Sequence, residues 1–130
     1  METIFSKIIR GEIPAYKIAE DDRFLAFLDV NPLQKGHTLV IPKEPIDYIF
    51  DLEDQLLGDM QIFAKKVAHA IKKATGCTRV GVAVIGLEVP HAHVHLIPIN
   101  QMNDMNFAQP KKQFTAEEMA EIASNIQKNL

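Results

Sequence analysis

A single cysteine in 130 residues permits no internal disulfide, so a reducing compartment is expected. Positive charge is not in excess either. The formal net charge is −3, and adjacent lysines come only as the scattered pairs Lys65-Lys66, Lys72-Lys73 and Lys111-Lys112. Each pair reads as a solvated face, which argues against a nucleic-acid partner. No apolar run is long enough to cross a bilayer, and no basic-apolar-small pattern marks a signal peptide. No membrane partner is therefore expected, and the cytoplasm is the expected compartment. Internal repeats, low-complexity stretches, a dinucleotide fingerprint around Gly81 and Gly86, and a phosphate-cradling glycine loop are all missing. With 47% hydrophobic residues, this length suits one globular domain over 1–130 with a core of its own. A small anionic ligand survives these exclusions, because a local pocket need not follow the global charge.

Periodicity predicts a short helix through Ile4, Phe5, Ile8 and Ile9, ended by Gly11 and Pro14. Strands follow over Tyr16–Ala19, Phe24–Leu28 and Thr38–Ile41. A long helix runs from about Leu52 to Thr75, capped by Asp51 and Gly76, on a stripe of Leu56, Met60, Phe63, Val67, Ile71 and Ala74. His69 falls on its surface. The valine-rich Arg79–Val84 reads as a buried strand. Asn100–Gln113 reads as a polar loop opening a C-terminal extension. Thr115 and Glu118 form a capping box, with Phe114 and Met119 as its staple, for a helix over 115–130 that buries Met119, Ile122, Ala123, Ile126 and Leu130. Mostly adjacent strands with segregated helices make this an α+β fold, a five-stranded antiparallel sheet with one long helix, a short N-terminal helix and a C-terminal helix.

The most informative segment is His91-Ala92-His93-Val94-His95-Leu96-Ile97-Pro98-Ile99. Histidine alternates with small or apolar residues, so on a strand all three imidazoles share one face. Three chemistries fit such a row. Two of the imidazoles with a third ligand, His37, could hold a hydrolytic zinc, although a straight row diverges where ligands must converge. A neutral imidazole could instead attack phosphorus, with its neighbours offsetting developing charge and no metal needed. The third reading is structural, but three buried imidazoles need partners for every ring nitrogen.

The run His91 to Ile97 resembles the signature of the histidine triad (HIT) superfamily. Thr3 to Ala15, Glu20 to Arg23, Phe27 to Pro32 and Gly36 to Lys43 are similar to its Hint-like branch, in the same order. The resemblance implies a homodimer that cleaves at the α-phosphate of purine nucleotide conjugates: phosphoramidates, acyl adenylates or dinucleoside polyphosphates. It implies His93 as nucleophile carrying the nucleotidyl group, flanked by His91 and His95, with His37 in the polar network. Asp29 would accept from the ribose hydroxyls, and Ile4, Phe5, Ile8, Phe27 and Val30 would enclose the base. No cofactor is implied. The alternative is a nucleotide-binding sensor with little turnover.

Three departures stand out. Relatives with a structural zinc carry cysteines where this chain has Thr3 and Ser6, so no metal is expected here. The family's Gln-Ser/Thr before the triad is Leu87-Glu88, and Glu88 is the candidate for protonating the leaving group or binding a substrate amine. The stretch Val84 to His91 is also short, with no counterpart of the family's phosphate-binding asparagine, which points to weak activity or a shifted substrate class.

Overall fold

The computed structural model describes residues 2–130. Helix α1 (Ile4–Ile9) starts at Thr3, whose side chain accepts from the Ser6 N–H while the Ser6 hydroxyl accepts from the Thr3 N–H. Gly11, at φ +79°, supplies the left-handed turn after it. Strands β1 (Lys17–Glu20), β2 (Phe24–Leu28) and β3 (Thr38–Pro42) follow, then a 3₁₀ turn over Ile49–Asp51 and helix α2 (Asp54–Thr75). Strand β4 (Arg79–Ala83), strand β5 (Val94–Ile99), a 3₁₀ turn over Met102–Met105 and helix α3 (Ala116–Gln127) complete the chain. The five strands form one antiparallel sheet in the order β1-β2-β3-β5-β4. The fold is therefore α+β. Among the described residues, no helix is long and apolar enough to cross a membrane.

Register decides which face each residue serves. Ala26, Val40 and Val94 line up across β2, β3 and β5, as do Leu28, Thr38 and Leu96. Their apolar members join Met60, Val67 and Ile71 of α2 and Met119, Ile122 and Ile126 of α3 in the main core. One residue out of phase, Phe27, Leu39 and His95 line up on the opposite face. There Leu25, Phe27, Leu39 and Ile41 pack with Phe5 and Ile8 of α1 in a second, smaller cluster. β2 and β3 are buried along their whole length because both faces are covered.

Several expectations change in three dimensions. Asp51 does not cap α2; it ends the 3₁₀ turn, and the helix begins at Asp54 after Glu53. Leu52, 5% exposed, is pulled into the core between the two helices and keeps extended backbone there. Strand β4 is an exposed edge rather than a buried strand, because β5 inserts between it and β3. β5 begins only at Val94: His91 and His93 lie on a lead-in held by the Ala92 N–H on the Ile46 carbonyl, 2.7 Å. Thr115 and Glu118 do form the capping box of α3, but Leu130 is exposed beyond its end.

Candidate active site

The alternation His-Ala-His-Val-His-Leu splits the β5 segment between the two faces. Ala92, Val94 and Leu96 enter the main core, while the imidazoles turn to the other side. In front of them lies a cleft of about 410 Å³. His93, His95, His37, Asp29, Phe27, Val30, Ile4, Phe5, Ile8 and Glu88 all line it. His91 does not, and this is a correction to its expected place beside the substrate. It is fully buried, with Nε2 2.7 Å from the Pro42 carbonyl and Nδ1 2.9 Å from the Thr3 hydroxyl.

Those partners fix the protons. A carbonyl only accepts, so His91 carries its proton on Nε2, and its Nδ1 accepts from Thr3. His93 Nδ1 lies 2.7 Å from the His91 carbonyl and must likewise be the protonated nitrogen. In the neutral ring its Nε2 therefore keeps a lone pair. His37 Nδ1 accepts the Leu33 N–H at 3.0 Å, so its proton sits on Nε2 and is donated to His95 Nδ1 at 2.9 Å. His95 is left with Nε2–H. The row thus offers one nucleophilic nitrogen beside one N–H donor, with the two rings 5.0 Å apart centre to centre.

Burial disfavours the charged forms of the rings around His93. It holds His95 down at about 4 and His37 at about 3, and neighbouring positive charge, including Lys111, acts in the same direction. Burial also lowers His91, against the pull of the Pro42 carbonyl. Asp29, at the end of β2, is raised by burial, though the Asn31 N–H on its Oδ1 opposes this. Its Oδ2 stands 3.6 Å from His37 Nε2.

The apolar end of the cleft is built by α1 and β2. Phe5 meets Phe27 edge-on at 5.5 Å and His93 at 5.2 Å. Ile4 and Val30 are 50% and 65% exposed on its lip, apolar surface that a flat ring would cover. Ile85, Gly86, Leu87, Glu88 and Val89 form another wall, and the Leu87 side chain stands almost wholly in solvent.

Phe107 and Lys111 line the cleft as well, although the sequence marks neither as a site residue. Phe107 sets its ring edge-on to His95 at 5.1 Å, and Lys111 joins the same wall. Lys111 was expected on a solvated face. The available signal was slight, a lone aromatic within a polar loop.

Two metal sites can be tested against the residues. At the zinc position implied by the resemblance stand Thr3 and Ser6, whose hydroxyls lie 3.3 Å apart, with Thr3 bonded to His91. Neutral hydroxyls already engaged in this way do not suit zinc. Elsewhere Asp29, His37 and His95 offer three ligand atoms within 4.8 Å of one another. Only one triad histidine joins His37 there, not the two that the zinc reading required. A proton bridges that pair at 2.9 Å, closer than the roughly 3.3 Å spanned by two nitrogens on a tetrahedral zinc.

A five-stranded antiparallel sheet that sets a row of paired imidazoles before an apolar-ended cleft defines a class: small α+β proteins with a histidine-lined cleft. Residues 10–102 match the HIT domain family, and the chain belongs to that family. It is 36% identical to an adenosine 5'-monophosphoramidase of Schizosaccharomyces pombe, over 97% of this chain and 96% of that one. It is 37% identical to an adenylylsulfatase of Arabidopsis thaliana, over 75% of this chain and 52% of that one. The crystal structure of a Hit-like protein from Bartonella henselae superposes with a TM-score of 0.86 at 33% identity, covering 99% and 96% of the two chains.

Proposed function

We propose that this protein hydrolyses purine nucleotide conjugates at the α-phosphate through a nucleotidyl group carried on His93. The observation that carries the reading is the hydrogen bond from His93 Nδ1 to the His91 carbonyl, which in the neutral ring puts the lone pair on Nε2 at the cleft. The base lies against Phe5, Phe27, Ile4, Ile8 and Val30, and the free lone pairs of Asp29 accept from the ribose hydroxyls. The Nε2 lone pair attacks phosphorus as the bond to the leaving group breaks, and the leaving group departs with that bond's electrons. Positive charge then develops on the His93 ring, where the Nδ1–H on the His91 carbonyl stabilises it. His95 Nε2–H donates to a phosphoryl oxygen. Water next attacks phosphorus, the P–N bond returns its electrons to Nε2, and nucleoside monophosphate leaves with a proton released to solvent.

An amine leaving group must also gain a proton. Glu88 lines the cleft with an exposed side chain, so it can exchange protons with water and deliver one when protonated. The names of the phosphoramidase and adenylylsulfatase relatives support hydrolysis of nucleotide conjugates as the class of reaction. The exposed β4 edge, with Val82, Val84 and Ile85 uncovered, supports a homodimer as the working form.

The test is a turnover panel of AMP and GMP phosphoramidates, acyl adenylates and diadenosine polyphosphates on wild type and His93→Ala. Wild type should release nucleoside monophosphate, and His93→Ala should lose at least about a thousandfold while still binding AMP. Tight AMP binding without turnover in the wild type would instead make the protein a nucleotide sensor. Turnover surviving in His93→Ala would end the covalent reading.

A further inference from the structure

We infer that Lys111, carried on a strap over the histidine face, is a substrate-binding residue that takes the oxygens of the phosphoryl group. The inference rests on the nucleotide reading above and adds a residue to it. Its starting point is a count of hydrogen-bond donors. Phosphoryl transfer gathers negative charge on oxygens that need several donors. Among the described residues lining the cleft, side-chain N–H groups come only from Asn31, His37, His93, His95 and Lys111. The Nε2–H of His37 is given to His95, and the Nδ1–H of His93 to the His91 carbonyl. The wall from Ile85 to Val89 brings no side-chain N–H at all. Before Lys111 is counted, that leaves two neutral donors, the His95 N–H and the Asn31 amide, a thin complement for a charged phosphoryl group.

Lys111 is the one lysine or arginine among the described lining residues, and its approach is constructed rather than incidental. The strap is fixed at both ends. Gln34 Nε2 donates to the Asp104 carbonyl at 3.2 Å, and the Lys112 N–H donates to the Pro32 carbonyl at 2.8 Å. Met105 fills the space over Gly81, where any Cβ would meet its sulfur at 2.1 Å. Between these anchors the Asn106 side chain accepts the Ala108 N–H, folding the turn that presents Phe107. The Phe107 ring stands edge-on to His95 at 5.1 Å. Lys111 Nζ lies 5.6 Å above that ring and donates to the Phe107 carbonyl at 2.9 Å. One ammonium hydrogen is thereby used, and two stay free at the cleft. Rings spaced 5.2, 5.0 and 5.1 Å lead in one file from Phe5 through His93 and His95 to Phe107, with the cation at its end.

A ligand for phosphoryl oxygens must act on nucleotides and leave nucleosides alone. Calorimetry in the His93→Ala background separates the two without turnover, using adenosine and AMP against His93→Ala and His93→Ala/Lys111→Met. Lys111→Met is expected to weaken AMP about tenfold to a hundredfold and leave adenosine unchanged, with Lys111→Arg retaining most of the AMP affinity. An unchanged melting temperature shows that the exposed side chain was not needed for folding. Equal losses for adenosine and AMP, or none for either, overturn the inference and leave the His93 chemistry standing. If neither protein binds AMP at all, the nucleotide reading fails and takes this one with it.

Discussion

The two faces of the β5 segment use one backbone for opposite ends. Ala92, Val94 and Leu96 are no more than 1% exposed and carry no polar side-chain atoms, so they serve the core by apolar burial alone. His91, His93 and His95 are nearly as buried, and each ring nitrogen turned inward has a named partner. Among the described residues no buried side-chain nitrogen or oxygen lacks a partner. The difference teaches that buried polarity is tolerated here by pairing, nitrogen by nitrogen, until only the two atoms facing the cleft are left open. One face is replaceable by anything apolar of the right volume; the other depends on which atom holds each proton.

That contrast can be broken in graded ways. Leu96→Ala should cost about 2–5 kcal/mol of stability, read from the urea midpoint, with nucleotide turnover per folded molecule unchanged. Turnover falling in parallel would mean that the faces are not separable. Thr3→Val keeps the volume but removes both the donor to His91 Nδ1 and the cap acceptor for the Ser6 N–H, and should cost about 1–3 kcal/mol. A neutral result would remove the Thr3 hydroxyl from the account of the histidine face.

Acid should act on the same face. Unfolded histidines take up protons below about 6.5, whereas folded His95 does so only at about 4 and folded His37 at about 3. Between those limits the unfolded chain binds more protons, so stability is full above about pH 6.5 and falls as the pH drops. With nearly two protons of difference, the slope should approach roughly 2–3 kcal/mol per pH unit near pH 5, and urea midpoints that stay flat between pH 7 and 5 would contradict the assignment. The smallest effect belongs to the lip. Val30→Ala should leave folding unaltered and weaken AMP binding about threefold to tenfold, and unchanged affinity would place the base elsewhere.

Legibility in the sequence followed the range of the forces involved. The period of α2 and α3, the capping box at Thr115 and the alternation at 91–96 are local signals, and each reappears in the structure. Strand β4 was misread as buried because valine content does not reveal which strand lies at the edge; that depends on β5 inserting beside β3. Asp51 has the chemistry of a cap, yet the burial of Leu52 outweighs it. The wall from Phe107 to Lys111 was unreadable because its polar loop gains meaning only when anchored at Pro32 and Gln34, some 70 to 80 positions back along the chain.

By itself the sequence determined the family, the alternation that sends three imidazoles to one side, and the apolar residues at the other end of the cleft. Only the tertiary structure decided which nitrogen of each ring faces the cleft and which is tied up, because a proton's place on a neutral imidazole is set by the partner of the other nitrogen. Those partners, the His91 carbonyl and the Leu33 N–H relayed through His37, are backbone groups that no side-chain pattern records.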